Sequence, residues 1–280
     1  MKTQYPERLK TIFFAGCQRV FTYGVLQSIL AFSFYAASCL ALKCVFSWDY
    51  GFLIIIGTLG VYNSHLLIKG YLKNGKLPIF YIVFLLILSL LAIYILFNFA
   101  NRIEYFRHLF IPVIISILYL LPISKIISSR FIPGWIKPVS LAVSWTWICV
   151  GPLHYFDNQT IFFLSSIFFL ILANALMFDV KDIEMDKLMN KSTYANRYGW
   201  KLTQLTAFIS LIISIIMIGL FYQKFYPGVW VAPLMLGLYY IPIKKIKTES
   251  PQNHYYWFLD GALFLFPVAV YLIHLISDRL

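Results

Sequence analysis

The chain has 280 residues, of which 61% are hydrophobic and only 12% are charged, and its net charge is +12. Because soluble domains carry about 25% charged residues, this composition excludes a water-soluble globular protein and indicates an integral membrane protein. The excess of Lys and Arg does not require a nucleic acid as partner, since cytoplasmic loops and contacts with anionic membrane lipids account for it.

Apolar runs long enough to cross the roughly 30 Å hydrocarbon core of a bilayer occur nine times. They lie at approximately 20–42, 50–68, 78–98, 109–128, 138–156, 160–178, 203–222, 229–243 and 257–276. We therefore expect an all-α fold, a multi-pass transmembrane bundle of about nine helices, with residues 1–280 forming a single domain. The eighth run is the weakest prediction because it is short and contains Pro233 and Pro242.

Lys and Arg residues are distributed unevenly between the two ends of these spans. When the N-terminus is placed on one side, most of the 23 Lys and Arg residues fall on that side, including those after the sixth span. The positive-inside rule therefore places the N-terminus and the segment after the sixth span in the cytoplasm. We expect a location in a bacterial inner membrane.

An acidic cluster follows the sixth span directly and holds four of the eleven acidic residues within eight positions. Asp179, Asp182 and Asp186 are spaced three and then four apart, so on a helix they share one face. Like charges on one face repel each other, and a membrane neighbourhood raises the cost. We therefore expect a cation against this face, and a divalent metal ion is the obvious candidate.

Basic and aromatic side chains surround the cluster in sequence. Mg²⁺ prefers oxygen ligands and keeps positions for phosphate oxygens, while Lys and Arg bind the remaining phosphate charge. Together they predict a site for a diphosphate whose hydrophobic tail lies in the membrane. Lys181 and Arg197 are assigned to substrate binding because of their charge and proximity. We expect most of the abundant Phe, Tyr and Trp side chains to serve packing.

Residues 178–187 (Phe-Asp-Val-Lys-Asp-Ile-Glu-Met-Asp-Lys), followed by 191–193 (Lys-Ser-Thr) and 197–199 (Arg-Tyr-Gly), carry a resemblance to a known family. They resemble the second aspartate-rich motif and following loop of the UbiA superfamily of intramembrane prenyltransferases. Nine helices, and Tyr119 and Lys125 after the fourth span, also fit that family. Its enzymes ionise a polyprenyl diphosphate, bound through Mg²⁺ at two aspartate-rich motifs, and join the prenyl group to an aromatic or other lipophilic acceptor.

The resemblance implies a role for each matching residue. Asp179, Asp182 and Asp186 would be the catalytic residues of the second motif and the ligands of Mg²⁺ and diphosphate. Lys125, together with Tyr119, would contact the diphosphate. The resemblance thus implies a fold, a cofactor and a polyprenyl diphosphate substrate.

The first aspartate-rich motif departs from the family pattern, which is Asn-Asp-x-x-Asp-x-x-x-Asp at the end of the second helix. Asn63 matches, but the aspartate positions hold Ser64, Leu67 and Tyr71. A shifted alignment places His65 where some relatives carry an aspartate. Asn63 and His65 are assigned to substrate binding, but neither replaces the carboxylates that Mg²⁺ prefers, so one metal site is weakened.

Two functions from different classes stay open. One is an active prenyltransferase with a reduced metal site; the other is a non-catalytic relative that binds an isoprenoid lipid or supports a partner enzyme. A transporter is a third reading, but neither inverted repeats nor pairs of broken helices are evident in the sequence. Asp260, near the start of the ninth span, is interpreted as a helix-pairing group rather than a catalyst.

Overall fold

The structure, a computed structural model, describes most of the chain as helix. The described residues are 24–74, 79–98, 109–116, 133–150, 157–181, 183, 186, 192–222, 230–245 and 259–277. Helices lie at all nine predicted positions in these ranges, and none of the described residues forms a β-strand. The prediction of an all-α helical bundle is confirmed.

The helices are numbered in chain order. They are α1 (Gly24–Ala41), α2 (Trp48–Asn74), α3 (Ile79–Asn98), α4 (109–116), α5 (Ile136–Val150), α6 (Asn158–Lys181), α7 (Tyr194–Phe221), α8 (Val231–Leu238), α9 (Tyr240–Lys245), α10 (Gly261–Leu263) and α11 (Leu265–Ser277). Three of them, α1, α6 and α7, are each long and apolar enough to cross a membrane. The eighth predicted span corresponds to α8 and α9, and the ninth to α10 and α11.

Two compact units divide the chain, and α1 contributes to both. The first unit consists of residues 1–32 and 48–101, and within its described part α2 packs against α3. Gly24 allows α1 to approach α2 closely, because a Cβ at this position would lie 2.8 Å from the Asn63 side-chain nitrogen. The arrangement of the helices does not test the prediction of a single domain, which stays a prediction.

The second unit, residues 33–47 and 102–280, is built around α6. This helix packs along α7 and against α5, and the Ser214 hydroxyl donates a hydrogen bond of 2.7 Å to the Ser166 carbonyl. Aromatic rings fill the core: Phe266 stacks on Phe34 at 5.1 Å and packs against Phe163 at 5.7 Å. All three rings are buried, so these aromatic side chains serve packing.

Asp157 fixes where α6 begins. Its carboxylate accepts a hydrogen bond of 2.7 Å from the Thr160 N–H, which is the geometry of a helix N-cap. Hydrogen bonds from the hydroxyl and the N–H of Thr160 lower the pKa of the Asp157 carboxyl. The carboxylate therefore stays charged at neutral pH, where it favours the positive end of the helix.

The last two predicted spans each contain one locally tightened turn. Tyr239 donates its N–H to the Leu236 carbonyl at 3.0 Å, and Phe264 donates its N–H to the Gly261 carbonyl at 3.2 Å. Pro267, three residues after Phe264, has no N–H to donate. Both turn residues keep right-handed helical φ and ψ, so each span continues as helix beyond its turn.

A buried polar network lies beside these turns. The Asn174 side-chain amide donates to the Asp260 carboxylate at 3.2 Å, and the Tyr239 hydroxyl donates to the Asn174 carbonyl oxygen. All three side chains are buried. Because such hydrogen bonds connect helices where water is absent, the network ties α6 to the last two spans. The interpretation of Asp260 as a helix-pairing group is confirmed.

The network gives a prediction for stability. Asp260→Leu removes the acceptor of the Asn174 amide and leaves a buried donor unsatisfied, so the free energy of unfolding should fall by about 1–3 kcal/mol. Asp260→Asn keeps an acceptor oxygen and should cost less. Thermal unfolding of the detergent-solubilised protein measures both, and an equal effect of the two substitutions would contradict the pairing role.

Candidate functional site

The central feature of the site is an ion pair between α5 and α6. Asp179 lies in the last turn of α6 with its side chain 1% exposed, and Lys137 lies in the first turn of α5 with its side chain 32% exposed. The Lys137 Nζ is 2.6 Å from the Asp179 Oδ1. Burying a carboxylate is costly unless a charged or hydrogen-bonding partner meets it, so Lys137 supplies part of what this position requires.

The start of α7 meets the same two helix ends. Thr193 caps α7 by accepting a hydrogen bond of 3.4 Å from the Asn196 N–H. Gly134, in the turn before α5, packs so closely that a Cβ there would lie 2.8 Å from the backbone of Thr193 and Tyr194. Ala195 packs in turn against Val180 of α6. The three ends therefore contact each other in pairs, and we call them the α5–α6–α7 junction.

The acidic motif continues beyond the last residue of α6. Ile183 has helical backbone and packs against Val180 and Ala195, with Trp200 partly buried against them. Asp186 also has helical backbone, and its side chain is 5% exposed. Both described carboxylates of the motif are thus buried in the second unit, as expected of residues on one helix face.

The structure describes two of the three predicted magnesium ligands, Asp179 and Asp186. Among the described residues, no group of three His, Cys, Asp or Glu side chains converges in a way that could hold a metal ion. The Asp179 Oδ1 forms the ion pair with the Lys137 ammonium. Asp182, the remaining predicted ligand, lies outside the described residues, and magnesium binding stays a prediction.

Two of the three predicted cationic ligands, Lys181 and Arg197, lie at the junction. The Lys181 Nζ sits 5.4 Å from the centroid of the Phe178 ring, a cation–π contact. Arg197, in the first turn of α7, is exposed, and its Nε donates to the Ser192 hydroxyl. The structure thus places one cation at the end of α6 and one at the start of α7.

Gly199 separates the first turn of α7 from the rest of the helix. Its φ of +80° and ψ of 164° are accessible only to glycine without strain. The Thr203 hydroxyl donates to the Gly199 carbonyl at 2.8 Å. Arg197 is consequently carried on a short helical turn before the kink, between the cap at Thr193 and the long membrane helix.

The other predicted binding residues lie elsewhere or outside the described part. Asn63 belongs to the first unit, where its buried amide donates to the Leu59 carbonyl of its own helix at 2.7 Å. His65 lies on α2, but its side chain is outside the described residues. Tyr119 and Lys125 are also outside them. Their assignment to substrate binding stays a prediction.

Lys137 is the site residue that the sequence analysis missed. It was counted only among the charges that set the orientation of the chain, and it lies 42 positions before its partner. The order of the spans could have indicated this contact. Consecutive spans run in opposite directions, so the start of the fifth span lies on the same side of the membrane as the end of the sixth. Lys137 is a basic residue at the first of these ends.

Comparison with known proteins now defines the class. An apo structure of a UbiA homolog from Aeropyrum pernix K1 aligns with 91% of this chain and 99% of its own, with a TM-score of 0.50 and 10% sequence identity. No protein-family model and no curated protein matches the sequence. The apolar helices and this likeness define a helical membrane protein. Its fold is that of UbiA homologs, which confirms the resemblance at the level of fold.

The ion pair predicts that Lys137 and Asp179 do not contribute independently to the free energy of unfolding. Lys137→Met leaves the Asp179 carboxylate buried without its lysine, and the free energy of unfolding should fall by about 1–3 kcal/mol, less than for a fully buried pair because Lys137 is one third exposed. The double variant Lys137→Met/Asp179→Leu should recover much of this loss, since it leaves no buried charge.

The matched control is Lys201→Met, which removes an exposed lysine that lies over the Trp200 ring. It should change the stability by less than about 0.5 kcal/mol. Chemical or thermal unfolding of the wild type, these three variants and the single variant Asp179→Leu measures the coupling. Additive losses in the double variant, or equal losses for Lys137→Met and Lys201→Met, would show that the pair does not stabilise the fold.

Proposed function

We propose that this protein is a membrane-embedded prenyltransferase of the UbiA type, which transfers a prenyl group from a polyprenyl diphosphate to a lipophilic acceptor, aromatic or other. The observation that supports this most is the α5–α6–α7 junction. There, in a chain with the fold of UbiA homologs, buried carboxylates of the aspartate motif lie among Lys137, Lys181 and Arg197.

The position of the junction suits a diphosphate with a long apolar tail. A diphosphate head carries too much charge for the hydrocarbon interior, so it must bind near the end of the membrane helices. Asp179 is two residues from the end of α6, and Arg197 is four residues into α7. The apolar length of both helices is available to the prenyl tail. The positive charge of this end favours the cytoplasmic side.

The chemistry asked of these residues is mainly electrostatic. The bond between the first prenyl carbon and the diphosphate oxygen breaks, the electron pair leaves with the diphosphate, and an allylic cation remains. The acceptor forms the new bond to that carbon and loses a proton. Lys181 and Arg197 are placed to stabilise the charge that develops on the departing diphosphate.

Magnesium stays a prediction. When bound, Mg²⁺ would neutralise charge on the departing diphosphate, with Asp179, Asp182 and Asp186 as its ligands. Within the described residues, however, Asp179 holds Lys137, and no set of three metal-binding side chains converges.

A non-catalytic isoprenoid-binding protein is the second candidate. It is favoured by the first motif, whose aspartate positions hold Ser64, Leu67 and Tyr71. The Asn63 amide, which matches the family pattern, donates to its own helix. Such a protein would retain the binding of a prenyl chain but would not break the bond to diphosphate.

Release of diphosphate from a prenyl diphosphate distinguishes the prenyltransferase from the non-catalytic binding protein. The purified protein in lipid nanodiscs is incubated with Mg²⁺, a phenolic acceptor and prenyl diphosphates of several lengths, and diphosphate release is measured. We expect release, and a decrease of about 10²–10³-fold for Asp182→Asn, because the charge that organises the site is removed. Lys201→Met should keep the wild-type rate. Binding of a labelled prenyl lipid without release at any length would favour the second candidate.

A further inference from the structure

The acidic motif requires positive charge, and in the described part of the structure Lys137 supplies it at Asp179. Three carboxylates on one helix face repel each other near a membrane, and the cation in contact with the buried Asp179 is the ammonium of Lys137. We infer that Lys137 replaces a divalent metal ion at Asp179, so that this carboxylate takes part in the site without binding metal. The consequence for substrate rests on the proposed function, because it concerns a diphosphate.

Lys137 and a metal ion would compete at Asp179. The distance of 2.6 Å between the Lys137 Nζ and the Asp179 Oδ1 is at the short end for charge-assisted hydrogen bonds. Mg²⁺ would approach a carboxylate oxygen to about 2.1 Å. The positive charge of an ammonium already bound to this carboxylate repels the ion and lowers the affinity of Asp179 for it.

Lys137 is held in place by the fold. Its α5 backbone follows the turn at Gly134, which packs tightly on the backbone of Thr193. Its own carbonyl accepts a hydrogen bond of 2.9 Å from the Ser140 hydroxyl. Pro138 is compatible with the first turn of α5, where an N–H would have no partner within the helix. The backbone that carries Lys137 is therefore held by the fold within reach of Asp179.

The sequence of the first motif agrees with a reduced need for metal. Its aspartate positions hold Ser64, Leu67 and Tyr71, so this motif lacks the carboxylates that would recruit an ion. At the junction, the positive charge of Lys137 offsets the negative charge of Asp179.

Binding of Mn²⁺, measured by electron paramagnetic resonance without any lipid, tests the inference. When Lys137 is present, the substitution Asp179→Asn should leave Mn²⁺ binding unchanged, because the Asp179 carboxylate does not bind metal. Lys137→Met should gain Mn²⁺ binding that is at least about tenfold tighter than wild type, since the competing charge is gone. The gain should disappear in Lys137→Met/Asp179→Asn, and Lys201→Met should behave as wild type.

Two results would overturn the inference. One is a loss of Mn²⁺ binding in Asp179→Asn with Lys137 intact, which requires no variant of the lysine to fold. The other is unchanged Mn²⁺ binding in a folded Lys137→Met protein. Lys137→Arg keeps the positive charge and should show the wild-type pattern.

Binding of radiolabelled geranylgeranyl diphosphate separates this inference from the proposed function. If Lys137 replaces the metal, the wild-type affinity should change by less than about threefold between EDTA and Mg²⁺, while Lys137→Met should lose at least about tenfold in EDTA and recover with Mg²⁺. A tenfold loss for the wild type in EDTA would contradict the inference. No binding under either condition would instead overturn the proposed function, and the Mn²⁺ measurements would still decide the place of Lys137.

Discussion

A carboxylate buried at the end of a membrane helix must be met by positive charge, and the ion pair between Lys137 and Asp179 fulfils that requirement here. The pair joins the first turn of α5 to the last turn of α6. The packing of Gly134 on the cap of α7 and the contact of Val180 with Ala195 hold the third helix end against them. These three contacts bring Lys181 and Arg197, far apart in sequence from Lys137, to one end of the second unit.

Composition predicted the helices well, because a membrane span is recognised in a sequence by its length and its lack of charged residues. Nine apolar runs became helices at nine positions, and Asp260 was correctly assigned to helix pairing. The tightened turn at Phe264 could not be predicted, because one proline within an apolar run does not reveal how the helix before it adjusts. The repulsion among Asp179, Asp182 and Asp186 predicted a cation. Its identity was not predicted, since a contact over 42 positions depends on how the helices pack.

The fold and the chemistry of this chain give different information about its function. The fold is that of UbiA homologs, and fold alone does not determine activity. Two features lower the negative charge that would attract metal ions. The aspartate positions of the first motif hold Ser64, Leu67 and Tyr71, and Asp179 of the second motif forms an ion pair with Lys137.

The most direct measurement is an experimental structure of the protein crystallised with Mn²⁺, with anomalous diffraction data to locate the metal. The account predicts no anomalous peak at Asp179, and a Lys137 Nζ within about 4 Å of the Asp179 carboxylate, the distance of an ion pair. A manganese ion coordinated by Asp179, with the Lys137 side chain turned away from it, would contradict the account.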